Sequence, residues 1–136
     1  VHDRTFKQLI AVIGILLFAQ YWMGMGINLY VAVPLDTPLA FLSYTDGLAV
    51  LAHIANGVLI VIIGVAIIAA STKLDNTLVQ RLSILAFIFA AAAISTGLVF
   101  ALQGQVAAFS MGMGVSFISA YTVYLAAYIA TTRIST

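Results

Sequence analysis

Cysteine is absent from this chain of 136 residues. That excludes a disulfide, a thiolate metal site and a cysteine nucleophile. Charge is nearly absent as well: Asp, Glu, Lys and Arg make up 7% of the residues, where an ordinary soluble domain carries about 25%. So few charges cannot coat a soluble globule of this size. The balance is close to even, with five cations, four anions and a net charge of +1. Recognition of nucleic acid calls for a basic patch, and this chain has none to offer. No complete catalytic motif is present, so no residue is assigned a catalytic role.

What the chain has instead is apolar length. Hydrophobic residues make up 64%, and the mean hydropathy is +1.19. Residues 8–35, 47–72 and 82–132 contain no Asp, Glu, Lys or Arg. A helix needs roughly 20 mostly apolar residues to cross the hydrocarbon core, so the last stretch holds two spans joined by a tight turn. The spacing predicts spans near 8–32, 45–70, 82–102 and 107–131. Backbone polar groups in lipid must be bonded internally, which admits only helices or a closed barrel. Barrel strands alternate polar with apolar over about ten residues, whereas these runs are continuous and rich in Ala, Leu and Ile. The first span is too long for a signal-peptide core of about 7–15 residues.

Arg4, Lys7, Lys73, Arg81 and Arg133 fall at the N-terminus, between the second and third spans, and at the C-terminus. With four spans these places share one face, and cations mark the cytoplasmic side. The expected fold is an all-α polytopic membrane four-helix bundle, one transmembrane domain over residues 1–136, multi-pass in the cell membrane with both termini cytoplasmic. The outer segments are then 33–44, with Pro34, Asp36, Pro38 and Tyr44, and the short Gln103-Gly104-Gln105 turn. Residues 71–80 form a polar inner loop.

The polar residues inside the spans gather in the outer half. Helix 1 carries Gln20, Tyr21, Trp22, Met23, Met25 and Asn28 there. Helix 2 carries His53 and Asn56 below Asp46, which is read as its N-terminal cap. Helix 4 begins with Ser110, Met111, Met113 and Ser116. On helix 2, Asp46, His53, Asn56, Gly57 and Gly64 fall on one stripe at steps of three, four and seven, with Ala49 and Ile60 on the same face. An ionisable residue at the depth of His53 is expensive in lipid and should face the bundle interior. It is either a ligand or proton-handling group, serving a haem iron, a quinone or a relay, or an interhelical tie bonded across to Gln20, Asn28 or Thr96. The methionines come in pairs two residues apart, roughly 200° around a helix, so one of each pair points inward. Methionine suits soft metals and also serves as adaptable core filler. Tyr121, Tyr124 and Tyr128 read as a packing or lipid-facing stripe. Tyr21 and Trp22 lie deeper than the usual aromatic belt and so should pack within the bundle, against a partner or against a cofactor.

A span with Gly24-Met25-Gly26, a polar outer loop, and then a helix with one buried histidine followed by glycines resembles the four-helix unit of haem A synthases. The resemblance runs loosely over residues 8–131 and is carried by His53 and its surroundings. It implies a cytochrome b-like bundle with His53 as metal ligand to a haem b iron. Met111, Met113 or Met25 would stand opposite, or the position would be vacant or filled by a second copy's histidine, with Asn56 and Asn28 beside the cofactor. The chain departs from the family at two points. Its acidic residue one turn before the histidine is replaced by Ala49 or Val50, and helix 4 has Ser110 and Met111 where the second histidine would stand.

Three functions are therefore weighed. The first is a structural or accessory subunit of a larger membrane complex of redox or respiratory type, with the bilayer and other membrane subunits, or further copies of the chain, as partners. The second is a haem-binding membrane cytochrome. The third is a small carrier or channel, for which the polar track stops short of the inner surface.

Overall fold

A computed structural model of the chain describes residues 2–31, 47–103 and 106–132. Four helices make up nearly all of them: α1 (His2–Tyr30), α2 (Gly47–Ser71), α3 (Thr77–Leu102) and α4 (Ala107–Thr132). Each is long and apolar enough to cross a membrane. The reading of 33–44 as an outer segment, the Asp46 cap, the Gly104-Gln105 turn and Arg133 all lie outside the described residues.

The helices form an antiparallel ring. Gln20 meets His53 across α1 and α2, and Gly64 meets Phe87 across α2 and α3. Gly97 meets Met113 across α3 and α4, and Gly14 meets Tyr121 across α1 and α4. The α3–α4 seam is the most extensive and the α1–α4 seam the least, while the diagonal pairs do not meet at the backbone. Small residues explain the tightest seam: Ala86, Ala90, Ala93, Ala120 and Ala127 are buried and let α3 and α4 close on each other.

Two boundaries differ from the sequence expectation. α1 starts at His2 rather than near residue 8, and its first turn is charged, with Lys7 Nζ 2.7 Å from Asp3 Oδ2 one turn earlier. α3 starts at Thr77 rather than near residue 82, so the polar loop shrinks to the turn 72–76. The reason is a cap. Asn76 is extended, and its Oδ1 accepts the backbone N–H groups of Leu78 at 2.9 Å and Val79 at 3.1 Å. Those amides would otherwise be orphaned, so the helix can begin among polar residues.

Packing is uneven along the bundle. Call the end holding Arg4, Lys73 and Arg81 the charged end. The large buried side chains Phe6, Ile10, Ile13, Ile67, Val79 and Tyr124 lie in the half nearer to it, and Leu17 is just past the middle. Tyr124 is only 2% exposed, whereas Tyr121 and Tyr128, on the same side of α4, reach the outer surface, so the stripe is part packing and part outward-facing. The Tyr124 ring reaches across the bundle to α2, where a methyl built on Gly64 would lie 2.6 Å from Phe87 Cδ2 and 3.2 Å from Tyr124 Oη. Only glycine leaves room there.

Candidate functional site

The half away from the charged end holds the polar side chains that cross between helices. The chain of contacts starts at a backbone carbonyl. Leu16 O, in α1, accepts from Asn56 Nδ2 at 2.9 Å, and the same nitrogen donates to Gln20 Oε1 at 2.7 Å. Gln20 Nε2 lies 3.1 Å from His53 Nε2. Three side chains thus tie α1 to α2 over about one turn of each helix.

The direction of these bonds is not free. A carbonyl oxygen can only accept, so Asn56 must turn its amide nitrogen toward Leu16. That nitrogen then demands an acceptor on Gln20, which places the Gln20 amide nitrogen, a donor only, against His53. His53 Nε2 must therefore accept, and the ring carries its proton on Nδ1. Nδ1 is buried and has no hydrogen-bonding partner.

Two glycines make the arrangement fit. A methyl on Gly24 would stand 3.1 Å from His53 Cε1 and 3.8 Å from its Nδ1, so the imidazole lies against bare α1 backbone. A methyl on Gly57 would stand 3.5 Å from Gln20 Nε2. The α2 stripe faces inward as its spacing implied, with Asn56, Ile60 and Gly64 buried and continued by Ile67 and Ser71. Ala49, placed on the same face in the sequence reading, is exposed.

The other candidates are placed differently. Asn28 is on an exposed part of α1. Met25 is 40% exposed and Met111 71%. Of each methionine pair the more inward member is Met23 and Met113, the latter with its sulfur 3.0 Å from the position of a methyl on Gly97. Thr96 donates to Ala92 O and Ala93 O of its own helix. Ser95, Ser119 and Thr122 likewise bond a carbonyl one turn earlier. Leu16 O and Gly24 are the supports of these three side chains that residue types alone did not expose. The signal for Gly24 was its position one turn after Gln20.

The arrangement does not fit a haem. His53 Nε2 is held by Gln20, the Cε1 edge of the ring lies against Gly24, and of the three methionines weighed as the opposite ligand Met25 and Met111 are turned outward while Met113 is half-buried against Gly97. Among the described residues no group of three His, Cys, Asp or Glu side chains could hold a metal ion.

A second feature lies on the α1–α4 seam. Phe18, Tyr21, Phe117, Ile118 and Tyr121 line an open, apolar recess of about 180 Å³. The Tyr21 and Phe117 rings are 5.9 Å apart, and Trp22 stands edge-on to both Phe18 and Tyr21 at 6.2 Å. Compared with known protein families, curated proteins and solved structures, the chain has no match.

Proposed function

We propose that this chain is a small multi-pass membrane subunit of a larger membrane assembly, with both termini cytoplasmic and the His53–Gln20–Asn56 triad acting as a helix tie rather than a reactive centre. The observation that carries the reading is Trp22. It is 62% exposed, yet it stands eight residues inside the far end of α1, about 12 Å deep at 1.5 Å per residue. Tryptophan at a lipid surface prefers the headgroup level, where its N–H is wet. At this depth a protein neighbour with a hydrogen-bond acceptor suits it better than acyl chains. Phe18 and Tyr21 extend the same surface.

Membrane residence is supported by the outward faces. Ile15, Phe18, Leu48, Ile62, Ile88, Leu98, Ile118 and Leu125 are all exposed, so none of the helices presents a polar face for water. The cytoplasmic assignment of the termini rests on the cations at one end.

The test is purification from native membranes in a mild detergent. Other subunits should accompany the protein at fixed stoichiometry, and Trp22→Leu should release them while the helical circular dichroism stays unchanged. A homogeneous monomer without companions would sink the accessory reading.

A further inference from the structure

The bond directions around His53 carry a consequence for protons. Leu16 O fixes Asn56, Asn56 fixes Gln20, and Gln20 presents N–H to His53 Nε2. A second proton on the ring would put Nε2–H against that N–H, donor facing donor. Gln20 cannot relieve the clash by turning its amide over, because its nitrogen would then meet Asn56 Nδ2. Asn56 cannot turn over either, because its oxygen would meet Leu16 O. The closed α1–α2 seam therefore accepts His53 with one proton only.

We propose that this seam is a proton-operated latch, closed when His53 carries one proton and opened when it takes up a second. Opening requires the Gln20–His53 bond or the Asn56–Gln20 bond to break, which frees α1 from α2 in the half away from the charged end. Among the described residues the carboxylates, Asp3 and Asp75, both lie at the charged end. Beyond Lys7, α1 has no Asp, Glu, Lys or Arg, and α2 and α4 have none at all. α3 has only Arg81, at the opposite end. The other titratable side chains of α1 and α4 toward that half are the phenols Tyr21, Tyr30 and Tyr121.

The latch rests on the tie described above, and one experiment separates the two. The chain has two histidines, so ¹⁵N NMR of the full-length protein in nanodiscs resolves the His53 ring alongside the Gln20 and Asn56 side-chain amides. At neutral pH the ring should show Nδ1 protonated and Nε2 accepting; any other tautomer overturns the tie itself. On acidification from about pH 8 to below about pH 5, through and past the range in which an unperturbed histidine changes charge, the ring should gain its second proton. The Asn56 amide signal should leave its hydrogen-bonded position in the same step. In His53→Gln the Asn56 signal should stay put across the range. In Gln20→Glu it should also stay put, because a carboxylate accepts from both Asn56 and a doubly protonated ring. An Asn56 signal indifferent to pH in the unmodified protein overturns the latch and leaves the tie standing. A transition that survives His53→Gln, or a Gln20→Glu protein that opens like the original, overturns it too. Asp46→Asn serves as a control for the acidic residue nearest in sequence, and it should leave the transition in place.

Discussion

At Gly64 a single methyl group has nowhere to go. Its carbon would stand 2.6 Å from the Phe87 ring and 3.2 Å from the Tyr124 hydroxyl, and Tyr124 is itself locked in the core. Overpacking of this kind costs about 1–3 kcal/mol, so Gly64→Ala should lower the midpoint of unfolding in detergent. Phe87→Leu, which withdraws the ring edge, should recover part of the loss in the double variant, a coupling that independent sites would not show. The Tyr124 hydroxyl is buried without a partner. A buried unsatisfied polar group costs about 1–3 kcal/mol, so Tyr124→Phe should hold or raise the same midpoint, and a fall would indicate a partner for that oxygen. His53, Gln20 and Asn56 were legible in the sequence because a polar side chain within an apolar helix has few places to go. The inward methionines and Tyr124 were not legible. These helices are apolar all round, and with no polar face to mark the outside, pattern alone does not fix their rotation.

Among the elements, α3 shows how one residue sets a boundary. Polar composition over 71–80 suggested a loop, yet the helix reaches back to Thr77 because Asn76 satisfies two of its first amides. Loss of an N-cap side chain costs about 1 kcal/mol. Asn76→Ala should therefore shift thermal unfolding downward by that order, while Asn76→Asp, which keeps the accepting oxygen and adds charge at the positive end of the helix dipole, should hold or raise it. The cap was readable in principle, since Asn is a favoured capping residue, but the polar Thr77, Gln80 and Arg81 between it and the apolar run obscured it. The existence of all four helices was plain, because uninterrupted apolar runs of this length have no other solution in lipid.

For the whole molecule, the antiparallel ring gathers Arg4, Lys7, Lys73 and Arg81 at one end and the triad in the other half. If the cations face the cytoplasm, then the triad and the aromatic surface around Trp22 belong to the outer leaflet. The lack of native cysteine makes this directly testable, since an introduced cysteine is the only thiol. In intact cells a membrane-impermeant maleimide should label Gln103→Cys, at the exposed end of α3, without permeabilisation. It should label Asp75→Cys, in the exposed turn between α2 and α3, only after the membrane is opened. Removing Asp75 takes away an anion and leaves every cation, so the charge bias that sets orientation is preserved. The reverse labelling pattern would turn the bundle over, put the latch in the cytoplasmic leaflet, and make cytoplasmic rather than external acidity the signal that reaches His53.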